Sequence, residues 1–335
     1  MNPIPLHNRQ TEDWQRALRE AIRDPRELLA MLGLADSALA AQLDTDPSFR
    51  VRVPRGYAQL MRHADERDPL LRQVLALEQE LREHPVYRAD PLAEAQASPV
   101  PGLLHKYAGR ALLMSSPACA VHCRYCFRRE FPYQQHSDGL ALAGALEHLR
   151  QDQSIAELIL SGGDPLTLKD DALHALFAQL GTITQLRRVR IHTRTPVVIP
   201  QRVTPGLLAL LSAQRMPIVI VLHANHANEL GADFAHAALQ LRATGVTLLN
   251  QSVLLDSVND DADALCALSE RLFECGVLPY YLHLLDPVRG TAHFDVPEQR
   301  GKQLIAAMRN RLPGYLVPRL AREIAGEAAK QVLAS

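Results

Sequence analysis

From Thr11 to about Arg110 the apolar positions recur at helical spacing. Trp14, Ala17, Leu18, Ala21 and Ile22 share one face, and Pro25 suits the first turn of a second helix, Arg26 to Leu32, ending at Gly33. Asp68-Pro69 reads as cap and first residue of a further helix, which carries Leu70, Leu71, Val74, Leu75, Leu77 and Leu81 and stops near His84-Pro85. Residues 88–102, with Pro91, Pro99 and Pro101, read as a linker. After residue 110 the pattern changes. Short apolar runs at Ala111–Met114, Leu158–Leu160, Val189–His192, Ile218–Leu222, Val246–Leu249 and Leu278–Leu282 alternate with amphipathic stretches near 139–150, 170–180, 204–214, 227–243 and 261–274. Strands alternating with helices at this spacing predict right-handed βαβ units and a parallel sheet. Six units predict an α/β fold of the incomplete (β/α)6 barrel kind, with chemistry at the carboxyl ends of the strands. The expected organisation is a helical extension and linker over 1–105, the partial barrel over 106–320 and a C-terminal segment over 321–335.

Composition narrows the function. The chain of 335 residues is 47% hydrophobic, enough to bury a large core, and Lys+Arg 36 against Asp+Glu 37 leaves a formal charge of -1. No global basic field favours nucleic acid or an anionic membrane, so neither is expected as a partner. Three of the five cysteines are clustered, while Cys266 and Cys275 sit in a later amphipathic stretch. Such usage points to metal in a reducing compartment. Without an apolar h-region at the start or an apolar run of about 20 residues, a cytoplasmic location is expected.

The densest chemistry is Cys119-Ala-Val-His-Cys123-Arg-Tyr-Cys126-Phe-Arg-Arg. Its C-x3-C-x2-C spacing supplies three thiolates from one short loop, enough for three irons of a 4Fe-4S cluster with the fourth iron open. Zinc with His122 as fourth ligand is the alternative, and three unconnected buried cysteines the blandest reading. Ser161-Gly162-Gly163-Asp164-Pro165 follows an apolar run, so glycine backbone can approach a ligand while Asp164 offers a carboxylate to an ammonium group. The same residues equally suit a tight strand-to-helix turn. Arg194 and Arg202 are candidates for binding phosphate or carboxylate, or else solvated loop arginines. His223-Ala-Asn-His226 and Asn250-Gln251-Ser252 end the next two strands and make a polar pocket plausible. On local sequence alone Asp286 is an Asp-Pro turn residue and Lys330 a surface lysine.

The cysteine motif followed by an aromatic resembles the signature of radical S-adenosylmethionine (SAM) enzymes. The wider stretch from His105-Lys-Tyr-Ala-Gly-Arg110 through Phe131 resembles the lysine 2,3-aminomutase family, in particular the branch making β-lysine for elongation factor P. The resemblance implies the same partial barrel, with Cys119, Cys123 and Cys126 holding the 4Fe-4S cluster whose open iron takes the methionine part of SAM. It implies that Ser161, Gly162, Gly163 and Asp164 hold SAM's amino group, and that Tyr107, Arg110, Arg194, His226 and Gln251 line the space for SAM and pyridoxal phosphate (PLP). Lys330 would anchor PLP, Arg128 would pair with the lysine carboxylate, and Asp286, with Glu323, would meet its distal ammonium. Typical members carry a Gly-rich run before the PLP lysine and an aspartate seven residues upstream of it; here Gly326-Glu-Ala-Ala and Glu323 stand there. Those members also continue into a C-terminal extension, and the shorter ending here resembles the elongation factor P branch.

The implied activity is conversion of L-lysine to β-lysine. An electron donor such as flavodoxin or ferredoxin is an implied partner, elongation factor P and its lysine ligase are indirect ones, and a homo-oligomer is compatible with the sequence. Three rivals remain: another PLP-dependent aminomutase, a SAM-consuming radical enzyme without PLP, and a non-catalytic iron-sulfur module. The last would favour a fourth nearby cysteine, and the motif has none.

Overall fold

The computed structural model describes residues 6–133 and 139–335, with side chains from residue 13 onward. The N-terminal part folds into α1 (Leu6–Arg19), α2 (Pro25–Met31) and two one-turn helices, α3 (Arg55–Ala58) and α4 (Pro69–Arg72). Asp24 and Asp68 cap α2 and α4, each ahead of a proline at the first helical position. The single helix expected from Asp68 to about His84 is therefore wrong. After α4 the backbone turns away to other partners: the Gln73 carbonyl accepts from Arg124 N (2.8 Å), Ala76 O from Asp44 N (3.2 Å), and Leu77 bridges to Leu43. Leu70, Leu71, Val74, Leu75 and Ala76 are all buried, so burial of these apolar groups is met here without a further helical turn.

The barrel part is one nine-stranded sheet in sequential order: β1 (Leu103–Tyr107), β2 (Arg110–Ser116), β3 (Glu157–Gly162), β4 (Arg188–Thr193), β5 (Ile218–His223), β6 (Thr247–Val253), β7 (Leu278–His283), β8 (Arg319–Arg322) and β9 (Gln331–Ala334). Strands β2 to β8 pair in parallel, while β1 and β9 pair antiparallel at the two edges, and no β1–β9 pairing closes the sheet. Crossovers run through α5 (Gly139–Gln151), α6 (Asp170–Leu180), the short α7 (Thr195–Val198), α8 (Pro205–Ser212), α9 (Ala232–Ala243), α10 (Ala262–Glu274) and α11 (Glu298–Arg309). The result is the expected open α/β sheet of six β/α units. Its hairpin strand β1, the seventh parallel strand β8 and the edge strand β9 are additions to the expected six, each too short or too polar to announce itself.

Two large cores set the site. One lies between sheet and helices, from Leu103 and Leu113 through Ile220 and Leu248. The other joins Trp14, Ile22, Leu28, Tyr57 and Leu71 to Ala120 and Val121 of the cysteine loop and to Val198 and Ile199 after β4. The N-terminal part thus packs against the loop that carries the cysteines.

Candidate active site

Beyond the carboxyl ends of the parallel strands lies a cavity of about 340 Å³. Two groups of residues wall it: the three cysteines, and a set of charged side chains drawn from β1, the loop after β7 and the 323–330 segment.

The cysteine loop is clamped from both sides. On the β3 side Gly163 N donates to Ser116 O (2.7 Å) and Asp164 N to Ala118 O (2.7 Å). Gly162 has φ +113, and a Cβ there would stand 2.8 Å from Ser116 O; one on Gly163 would collide with the Ala118 carbonyl. The two glycines therefore admit the backbone of the cysteine loop, where the sequence had suggested a ligand. On the N-terminal side Arg124 donates to Glu80 through Nε (2.8 Å) and Nη2 (2.6 Å) and to Phe49 O (2.6 Å). His122 donates its backbone N–H to Arg52 O (3.0 Å), shares Nδ1 with Arg50 O (2.7 Å) and stacks on Phe49 with centroids 4.9 Å apart. It does not line the cavity, which removes the proposed fourth zinc ligand.

Burial, then the neighbouring thiols, push Cys119 and Cys126 up, Cys126 to about 11, a penalty that a bound cation would offset. Among the described residues the three sulfurs do not all lie within 4.8 Å of one another, unlike the half-buried His105, His148 and Asp152 outside the cavity. Ligands of one zinc, at about 2.3 Å from it, would crowd within about 4 Å of each other. Thiolates serving three separate irons need not. The donor set fits a cluster.

Asp164 lies in the cavity wall with its carboxylate engaged by the protein. Its Oδ1 accepts from Leu166 N (2.9 Å) and Thr193 Oγ1 (2.7 Å), and its Oδ2 from Arg194 N (2.7 Å) and Thr195 N (2.9 Å). That carboxylate ties the end of β3 to the end of β4 and has little left for an ammonium, which is the tight-turn reading. Arg194 and Arg202 are buried, so neither is a solvated loop arginine. Arg202 spends its guanidinium on Leu166 O (2.6 Å), Leu168 O (3.0 Å) and Asp170 (2.9 Å), outside the cavity. Arg194 does reach the cavity wall, donating to Cys123 Sγ (2.7 Å), Gln73 Oε1 (2.8 Å) and Glu229 Oε2 (2.7 Å), and to the hydroxyls of Tyr57 (3.1 Å) and Tyr125. His226 Nδ1 accepts from Asn228 N (3.1 Å) as a cap, outside the cavity wall; His223, three residues earlier, lines it instead. Gln251 lines the wall as expected.

The second cluster is a chain of charges. Arg128 forks onto Glu94 (2.7 and 2.8 Å) and donates through Nη1 to Ser161 Oγ (3.1 Å); Lys106 meets Glu94 (3.0 Å) and Glu323 (2.8 Å); Glu323 meets Lys330 (3.0 Å). Burial opposes ionisation of Glu323, yet Lys330 and Lys106 outweigh it and hold the carboxyl down at about 2. Asp286, in the same wall, shows the opposite balance: burial pushes it up to about 7, against the pull of Lys330. Tyr107 hydrogen-bonds Glu323, and Arg110 stacks on the Tyr107 ring at 4.7 Å without an ion-pair partner among the described residues, free for an anion. Two buried nitrogens of wall residues, His192 Nε2 and Arg194 Nε, have no hydrogen-bond partner among the described residues.

Sequence reasoning missed Glu94, Lys106, His192, Tyr281 and His283, all of which line the cavity, whereas His223 lies in a strand-end segment already singled out as a pocket candidate. His192 and His283 lie on strands, and their alternation with apolar neighbours was the available signal; Glu94 carried none, because it stood in a proline-rich stretch.

No protein-family model matches the chain. Curated relatives do. It is 46% identical to L-lysine 2,3-aminomutase of Escherichia coli (strain K12), over 98% of this chain and 97% of that one, and 45% identical to the enzyme of that name from Haemophilus influenzae, over 97% of each. L-lysine 2,3-aminomutase of Clostridium subterminale is 34% identical over 95% of this chain and 77% of its own length. Among solved structures, a radical SAM methyltransferase from Sphaerobacter thermophilus superposes with TM-score 0.46 and 18% identity, covering 66% of this chain and 68% of that one. Streptococcus suis SuiB bound to S-adenosylmethionine gives TM-score 0.47 and 12% identity over 65% and 51%. Identity of this extent to relatives that share one name is decisive: the chain belongs to the L-lysine 2,3-aminomutase family.

Proposed function

We propose that this protein is a radical SAM, PLP-dependent isomerase that converts L-lysine to β-lysine, the product serving modification of elongation factor P. The observation that carries the reading is a single cavity walled both by the three-cysteine loop and by the Asp286, Glu323 and Lys330 cluster. When bound, the cluster supplies one electron to SAM, and PLP supplies a conjugated ring that delocalises an unpaired electron. The chain's own residues position and discriminate. Cys119, Cys123 and Cys126 hold the metal; the Lys330 amine anchors PLP; Arg110 and Tyr107 face its anionic part. Arg128 takes the lysine carboxylate, while Asp286, beside Glu323, takes the distal ammonium. Opposite charges at two ends of a flexible substrate select both its length and its direction. In this reading the described residues of 1–105 brace the cysteine loop, those of 106–320 form the barrel and 321–335 carry the PLP lysine. The reading includes a cytoplasmic setting, a flavodoxin or ferredoxin as electron donor, and a lysine ligase that passes the product to elongation factor P.

The test is anaerobic incubation of reconstituted protein with SAM, PLP, reductant and L-lysine, followed by mass spectrometry. β-Lysine should accumulate without stoichiometric 5'-deoxyadenosine, and borohydride should fix PLP on Lys330. Stoichiometric 5'-deoxyadenosine with no PLP fixed would favour the SAM-consuming rival; faster isomerisation of another amino acid would replace lysine as substrate.

A further inference from the structure

Glu94 lies in the stretch that reads as a linker, yet it is 2% exposed. It is held there by local structure. Ala93 has a positive φ of 49, and Asp90 accepts from the backbone N–H of Glu94 (3.0 Å) and of Ala95 (3.2 Å), fixing a one-turn 3-10 helix that starts at Glu94. From that turn the carboxylate meets Nε and Nη2 of Arg128 on one side and Lys106 on the other. Burial opposes its charge, but Arg128 and Lys106 keep the carboxyl below the usual range.

A guanidinium has five N–H groups in a rigid fork. Glu94 takes two from the Nε/Nη2 side and Ser161 one, while the arginine stacks on Phe127 at 4.7 Å. Two N–H groups remain, and Arg128 lines the cavity. From this geometry we infer that Glu94 is a positioning residue: it fixes the rotation of Arg128 so that the remaining N–H groups meet the carboxylate of the substrate, and it sets Lys106, through which Glu323 and Lys330 are placed. The inference rests on the lysine reading above. In this role Glu94 acts through Arg128, the side chain that it grips with both carboxylate oxygens.

The experiment compares Glu94→Gln with the parent holoenzyme, measuring KM and kcat for lysine and competition by 1,5-diaminopentane, which keeps both amines and lacks the carboxylate. The amide cannot pair with a guanidinium through two anionic oxygens, so KM for lysine should rise about tenfold or more, with a smaller loss in kcat. The preference for lysine over the diamine should fall by a similar factor, while the change that SAM makes in the cluster's EPR signal stays as in the parent. Unchanged KM and unchanged preference would overturn the role. If Glu94→Gln does not fold, Glu94→Asp keeps the charge but withdraws it by one methylene, and an unaltered lysine preference there overturns the role equally. A parent enzyme that ignores lysine altogether would instead defeat the substrate reading.

Discussion

Asp286 and Glu323 are two carboxyls in one wall with opposite fates, and the difference lies in their partners. Glu323 has lysines at 2.8 and 3.0 Å, whereas Asp286 has no ion pair among the described residues, so burial wins. A raised carboxyl binds its proton more tightly in the folded chain than in the unfolded one. Its contribution to stability is full below the ordinary value near 3.8 and is lost as pH rises through about 7. Binding runs the other way, because the ammonium of lysine wants the ionised form. Lysine should therefore bind more tightly as pH climbs from 6 to 8, seen as a larger lysine-induced rise in Tm at the higher pH. Asp286→Asn should weaken binding and flatten that pH dependence, while SAM still perturbs the cluster; an unchanged slope would remove Asp286 from the substrate site.

The cysteine loop depends on its neighbours for its shape. Its three cysteines lie within eight residues, but the clamp comes from the end of β3 and from Phe49, Arg50, Gln73 and Glu80 far upstream. Gly163→Ala places a methyl against the Ala118 carbonyl, so the loop or the strand end must move. Overpacking of this kind costs about 1–3 kcal/mol. The expected outcome is a lower denaturation midpoint together with iron per chain below that of the parent after identical reconstitution; full iron loading would show that the loop tolerates the shift. The early end of α4 obeys the same logic, since the Gln73 and Ala76 carbonyls beyond it serve the loop and Asp44 in place of a next turn.

N-terminal part, cysteine loop and barrel meet at one buried junction. Glu229, fully buried, accepts from Arg194 (2.7 Å), from Gln73 Nε2 (3.2 Å) and from the backbone of Asn225 (2.8 Å) and His226 (3.0 Å), while Arg194 also reaches Tyr57. Removing one member of a buried ion pair leaves the other uncompensated, at a cost of about 3–5 kcal/mol. Glu229→Ala should therefore lower unfolding stability by that order in urea titration. Because Arg194 also donates to Cys123, the variant should hold its cluster less firmly, measured as iron lost to a chelator over time.

Alternation of apolar runs with amphipathic stretches was enough to foresee the six β/α units, because a strand or helix that must bury one face writes that face into its own residues. The cysteine spacing was legible for the same reason: all three thiols come from one short stretch. Arg128, Asp286, Glu323 and Lys330 were reached only through resemblance, and the structure adds that they share a wall. Glu94 and Lys106 carried no local sign, His223 carried one through its place at a strand end, and the partners that Asp164, Arg202 and His226 take up could not be read from their neighbours in sequence. Whether a polar side chain caps its own backbone or faces a cavity depends on which groups from elsewhere in the chain lie within about 3 Å of it. Distances of that kind are set by tertiary packing, as the buried pairing of Glu94 with Arg128, 34 residues apart, makes plain.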